Sequence, residues 1–304
     1  MKHRRHPKKI LHKLWHLSKK QEVILITASL SLCIGGVFFV WIATLRMPNL
    51  DTFENRRITQ STKIYDRTGK ILLYDVHENI KRTLVPSSDI SRNIKNATVA
   101  IEDAEFYEHK GIKPTAILRA LLVNLTSLQL SQGGSTITQQ VVKNTLLTSE
   151  RKISRKLKEW VLASKLEKIM DKDAILALYL NESPFGGNVY GVEEASQTFW
   201  SKPATELTLA ESAYLASLLK APTYYSPYGN NRDRLEARKN LVLSKMLEYG
   251  FITKTEHDTA LAETITFNPR EEKVIKAPHF VHYVIEQLET SYGESAIENG
   301  GLKI

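Results

Sequence analysis

An unbroken apolar run occupies residues 23–45, where 23 successive positions carry no charge. As a helix rising about 1.5 Å per residue, it reaches across the roughly 30 Å hydrocarbon core of a bilayer. A cleaved leader is the competing reading, but a leader's apolar core is only about 7–15 residues long and ends at a small-residue A-x-A-like site. No such site follows here, so the run is read as a retained transmembrane helix. From Pro48 to about Ile90 the pattern changes to short β-like runs. Lys63-Ile64-Tyr65 and Ile71-Leu72-Leu73-Tyr74 flank Asp66-Arg67-Thr68-Gly69, which has turn chemistry, and predict a small hairpin next to the membrane.

After about Ser91 the sequence reads almost wholly as helices, each announced by a start signal. Thr208-x-x-Glu211 and Thr253-x-x-Glu256 are capping boxes, in which side chain and backbone satisfy each other's orphan donors. Ile153, Leu157, Trp160, Val161 and Leu166 form one stripe of a helix from about Arg151 to Met170. The organisation expected is a basic tail at 1–22, a transmembrane helix at 23–45, a linker with short strands at 46–90, and a helical catalytic domain at 91–265. Residues 266–304 read as a linker with one amphipathic stretch, His279 to Glu289, and no capping signal at Gly300-Gly301-Leu302-Lys303-Ile304.

Charge sharpens this picture. The chain carries a formal +9, but residues 1–45 hold eight Lys/Arg against the single acid Glu22, leaving 34 Lys/Arg against 32 Asp/Glu over the other 259 residues. A nearly neutral body argues against a nucleic-acid partner. The basic flank from Lys2 to Lys20 places the N-terminus in the cytoplasm and everything after Arg46 outside a cytoplasmic (inner) membrane crossed once. The sole cysteine, Cys33, lies within the apolar run, so no intrachain disulfide can form. Four histidines in the first 16 residues suit a solvated or lipid-facing tail, and His279-x-x-His282 lacks the third ligand of a metal site.

Three clusters could carry chemistry. In Glu102-Asp103-Ala104-Glu105-Phe106-Tyr107-Glu108-His109, a helix would set Glu102, Phe106 and His109 on one side with Asp103 a quarter turn away. A carboxylate beside an aromatic and an imidazole can be a tuned acid or base, although a charged, solvated helix end has the same composition. Gly133-Gly134-Ser135-Thr136-Ile137-Thr138-Gln139-Gln140-Val141-Val142-Lys143-Asn144 is a glycine pair entering a polar helix start. Its amides, hydroxyls and ammonium suit a phosphate or a sugar, and an ordinary capped helix would look alike. It lacks the Gly-Lys-Ser/Thr ending of a nucleotide loop. In Arg155-Lys156-Leu157-Lys158-Glu159, Arg155 and Glu159 are spaced as a surface ion pair. The three clusters together supply the carboxylates, cations and donors needed to move a sugar from a diphosphate to a hydroxyl.

In order and spacing these blocks resemble family 51 of the glycosyltransferases, the peptidoglycan glycosyltransferase domain of class A penicillin-binding proteins and of monofunctional transglycosylases. The resemblance continues through Ile175 to Asn181, Phe185-Gly186, Tyr190-Gly191-Val192, Leu207 to Glu211, Lys220-Ala221-Pro222 and Ser226-Pro227, covering about residues 60 to 304. It implies a mainly α, lysozyme-like fold. It also implies polymerisation of lipid II onto a growing lipid-linked glycan chain at the bilayer, with β-1,4 linkages, inversion and release of undecaprenyl diphosphate. Carried over, Glu102 would be the general base and Glu159 the second catalytic carboxylate near the donor. Lys143 and Arg155 would neutralise the diphosphate. Asp103, Phe106, His109, Ser135, Thr136, Gln139, Gln140, Asn144 and Lys156 would bind substrate or hold the cleft in shape. No cofactor is obligatory by this resemblance. A divalent cation, Mg or Mn, assists the diphosphate in some relatives, but no motif designates metal ligands. Cell-division or elongation proteins are implied as partners.

The resemblance also implies that Ile117 to Leu125, with Leu128 and Leu130, forms a jaw dipping into the lipid surface, where a plain core helix is the alternative. Ser183-Pro184 departs from the family's usual apolar or aromatic pair, and the transpeptidase that follows in class A proteins is absent. Three rivals remain. Ser217-x-x-Lys220 with Ser91-x-Asn93 suggests a penicillin-binding serine enzyme, but no Lys-Thr-Gly accompanies them. A lytic enzyme of lysozyme-like fold could use Glu102, although Lys143 and Arg155 favour synthesis. An inactive cell-wall scaffold would not need both Glu102 and Glu159.

Overall fold

A computed structural model describes residues 19–44, 60–76, 80–115, 134–147, 153–270, 276–293, 297 and 300–304. The expected membrane jaw at 117–130, the basic tail before Lys19 and Gly133 lie outside the described residues. Packing divides the chain into two compact units, Met1–Met47 with Lys152–Lys158, and Pro48–Arg151 with Glu159–Ile304.

The first unit contains α1, Lys19–Ala43. Among the described residues this is the one helix long and apolar enough to cross a membrane. Its described apolar side chains are exposed, Leu32 at 81% and Val37 at 69%, a surface that water penalises and lipid accepts. Thr27 returns its hydroxyl to the carbonyls of Val23 and Ile24 at 2.9 and 3.0 Å, so the one polar group at this point is satisfied within the helix.

In the second unit, β1 (Thr62–Tyr65) and β2 (Leu72–Val76) form the predicted antiparallel hairpin, with Thr62 opposite Val76 and Tyr65 opposite Leu72. Asp66 closes the turn, its carboxylate accepting from the Ile71 and Lys70 amides at 3.1 and 3.2 Å and from the Thr68 hydroxyl at 2.8 Å. These bonds, that from Ile71 foremost, hold the Asp66 carboxyl below its ordinary value. Residues 300–304 run parallel alongside β1, bridged between Gln60 and Gly300 and between Lys63 and Lys303. The amides of Lys63 and Tyr65 donate to the carbonyls of Leu302 and Ile304 at 2.8 Å. Against this sheet Val281 packs with Ile64, Val76 and Ile297 in a small core of its own.

The body of the unit is helical. It comprises α2 (Arg92–Glu102), α3 (Ile137–Leu146), α4 (Ile153–Ile169, from Glu159 onward), α5 (Lys172–Glu182), α6 (Val192–Trp200), α7 (Leu209–Leu218), α8 (Arg232–Glu248) and α9 (Lys254–Ala262). A further helix, α10 (Pro278–Tyr292), carries Val281. A three-stranded patch joins β4 (Pro184–Gly186) and β5 (Val189–Tyr190), antiparallel, with β3 (Lys81–Arg82) parallel to β5. Both capping boxes are present, at the starts of α7 and α9. Every residue of α7 from Ala210 to Leu218 is buried, so it is the central helix on which α2 and α8 pack, while α3 packs on α5.

The helical arrangement considered for residues 102–109 is not formed, and α2 stops short of it. This helix ends at Glu102, and Asp103 adopts φ −160° with its carboxylate accepting the Ile137 amide at 3.1 Å. Aspartate competes well for such a free amide, and the chain leaves the helix to deliver it.

Candidate active site

Asp103 joins the end of α2 to the start of α3. The same Oδ2 that accepts from Ile137 lies 2.9 Å from His109 Nε2, and Lys113 stands 3.7 Å from Oδ1. His109 Nδ1 accepts the Gly111 amide at 3.1 Å, so the ring proton facing Asp103 sits on Nε2. The Gly111 carbonyl in turn accepts from Thr136 Oγ1 at 2.7 Å and Gln139 Nε2 at 3.2 Å, while Thr136 caps α3 by accepting the Gln139 amide. Gly111 has φ +85°, and a Cβ there would stand 2.7 Å from the Ala163 carbonyl oxygen, so glycine is required. Phe106 is wholly buried under the Lys172 ammonium, 4.5 Å from the ring centre, and Lys172 also bonds the His109 carbonyl and Glu167. Asp103, Phe106, His109, Thr136 and Gln139 thus form a buried frame that fixes the two chain segments together.

That frame presents Glu102. Its Oε2 accepts from Gln140 Nε2 at 3.0 Å, and its Oε1 lies 3.9 Å from Arg238 Nη2. The Tyr179 hydroxyl donates to the other atom of the Gln140 amide, Oε1, at 3.3 Å. Burial first, and then the Glu102 charge, raises the Tyr179 phenol well above its ordinary value, so it remains a donor. Glu102 opens on a cleft of about 250 Å³ lined also by Asp103, Glu105, Lys113, Ser135, Lys245 and Tyr249.

A family model described as Transglycosylase matches residues 69–247. The chain belongs to the transglycosylase family. It is 39% identical over 286 residues to penicillin-binding protein 1A of Aquifex aeolicus, covering 94% of this chain and 39% of that protein. It is 38% identical over 256 residues to penicillin-binding protein 1A of Escherichia coli, covering 84% of this chain and 30% of that protein. The chain therefore spans well under half the length of these curated relatives. A crystal structure of penicillin-binding protein 1A from Haemophilus influenzae aligns with a TM-score of 0.46 at 27% identity, over 82% of this chain and 27% of that one.

In this member of the transglycosylase family the residues singled out from sequence separate into groups. Glu102, Asp103 and Ser135 share the cleft, and Gln140 holds Glu102. Lys143 and Asn144 are exposed on the second half of α3. Glu159, on α4, is 2% exposed, and neither it nor Lys143 lines the cleft. Arg155 and Lys156 lie in the first turns of α4, in the unit with α1. Ser217 is fully buried, its hydroxyl committed to the Ala213 carbonyl at 2.7 Å, which removes it as an acyl nucleophile. Ser91 is the cap of α2. Sequence reasoning missed Arg238, Tyr179, Lys113, Lys245 and Tyr249. Tyr179 stands inside a family block, whereas Arg238 and Lys245 sit on α8 among other basic residues that nothing in the sequence distinguishes.

Proposed function

We propose that this transglycosylase is a peptidoglycan glycosyltransferase that polymerises lipid II into β-1,4-linked strands, with Glu102 as general base. The observation carrying this reading is a carboxylate hydrogen-bonded at one oxygen by Gln140 and faced at the other by the Arg238 guanidinium at 3.9 Å, while it lines a cleft. In the reaction, Glu102 takes the proton of the acceptor sugar's 4-hydroxyl. The freed oxygen forms a bond to the donor's anomeric carbon, and the bond from that carbon to the diphosphate breaks with its electron pair leaving on undecaprenyl diphosphate. Attack from the opposite face inverts the centre. Lys143 and Arg155 are assigned to the diphosphate and Glu159 to the donor side, on the family resemblance of their blocks. The exposed apolar α1 supports an anchored enzyme, and its basic flank supports a cytoplasmic N-terminus with the catalytic domain outside.

The test is incubation of the full chain in vesicles with fluorescent lipid II, followed by lysozyme digestion. The parent should yield lysozyme-sensitive polymer, and Glu102→Gln should lose at least about 100-fold in rate, the usual worth of a positioned base. Parental activity in Glu102→Gln overturns the assignment. Shortening of preformed glycan strands in place of polymer would favour a lytic enzyme.

A further inference from the structure

We propose that Arg238 and Tyr179 are positioning residues which fix the two carboxylate oxygens of Glu102 toward the cleft, Arg238 directly and Tyr179 through Gln140. This rests on the reading of Glu102 as the base. Glu102 is the last residue of α2, and the backbone beyond it leaves the helix, so its own element supports the side chain on one side only. A glutamate has three side-chain torsions, and a base displaced by about 1 Å loses much of its rate. Orientation must therefore come from other helices.

Two such supports exist. The Gln140 amide donates to Oε2, but turned by 180° it would present oxygen to oxygen and repel the carboxylate. The acceptor-only carboxylate takes the NH2 end, and the Tyr179 hydroxyl, donating to the Gln140 oxygen, anchors the far end of the amide. Tyr179 is itself packed in the core, 3% exposed on α5. On the other side Arg238 Nε donates to the Ser217 carbonyl at 3.1 Å, and the guanidinium lies over the Tyr225 ring at 5.5 Å. Those two contacts fix its plane and leave Nη2 facing Glu102 Oε1. A planar fork can meet all three groups at once, whereas a lysine ammonium can keep the charge but not the three contacts.

The test uses the full chain in vesicles with fluorescent lipid II and reads kcat, KM and Tm separately. Arg238→Met should lower kcat about tenfold and Tyr179→Phe about threefold, each with KM within about twofold of the parent, because an aim is lost and not a substrate contact. Arg238→Lys should recover part of the loss. Parental kcat in folded Arg238→Met and Tyr179→Phe, or a loss confined to KM, overturns the proposal. Should Arg238→Met fail to fold, shown by loss of its melting transition, Arg238→Lys and Tyr179→Phe decide by the same criteria. Glu102→Gln run alongside separates the two claims. An active Glu102→Gln removes the base, whereas an inactive Glu102→Gln beside a fully active Arg238→Met removes only the positioning role.

Discussion

At Gly111 several constraints meet in one residue. Its carbonyl gathers Thr136 and Gln139, its amide orients His109, and its α-carbon faces the Ala163 carbonyl too closely for any side chain. Gly111→Ala should therefore cost about 1–3 kcal/mol, the usual worth of a strained left-handed residue, read as a lowered urea midpoint with an unchanged slope. Tyr107 offers a second check. Partial burial, and then Asp173 accepting from its hydroxyl at 3.3 Å, pushes its phenol up to about 12. The stabilisation is whole below pH 10, where the unfolded phenol is also neutral, and is lost as pH rises from 10 through about 12. A spectrophotometric titration should lose one late phenolate on Tyr107→Phe. The Glu102 and Ser135 clusters were legible because their members are close in sequence. Arg238 was not, because a guanidinium acquires its meaning only when α8 is laid beside α2.

At the level of elements, the caps behave as local chemistry dictates. Thr208 and Thr253 each accept the amide three residues on, and Glu211 and Glu256 return the bond to the Thr208 and Thr253 amides. Thr253→Ala should cost about 1 kcal/mol of stability by thermal denaturation, the ordinary value of a lost cap, with Thr253→Ser restoring it. Such signals span four residues and can be read from the sequence. The helical arrangement considered beyond Glu102 does not form, for the opposite reason. The Asp103 carboxylate serves the Ile137 amide of a different helix, and that distant demand outweighs the local helical spacing. The bridging of residues 300–304 to β1 was missed likewise, since glycine-rich residues carry no alternation to detect.

Across the second unit, the hairpin is tied to the helical body by a nearly buried ion pair. Lys63 Nζ lies 2.7 Å from Glu194 Oε2, which also accepts the Thr83 hydroxyl at 3.0 Å. Burial works against the Lys63 charge, but Glu194 and then Asp75 outweigh it and hold the ammonium above its ordinary value. The tie is thus whole below pH 10.5 and is lost only as pH rises through the elevated folded value. Glu194→Gln leaves the ammonium with Asp75 alone, 4.0 Å away, and should cost less than the roughly 3–5 kcal/mol of a charge left wholly unpaired, detected as faster proteolysis between residues 60 and 76. Removing residues 19–43 should weaken membrane association, with fractionation in high salt as the measure.

The sheet begun at Gln60 is finished by Leu302, whose amide bonds the Thr62 hydroxyl across 240 positions. A chain made from its N-terminus must therefore produce nearly all of its helices before β1 meets its parallel neighbour. Until then that edge is an unfilled template, open to any extended segment nearby. Among the described residues the pairing beside β1 thus closes late although β1 is made early, and newly made chains at high density should mispair there first.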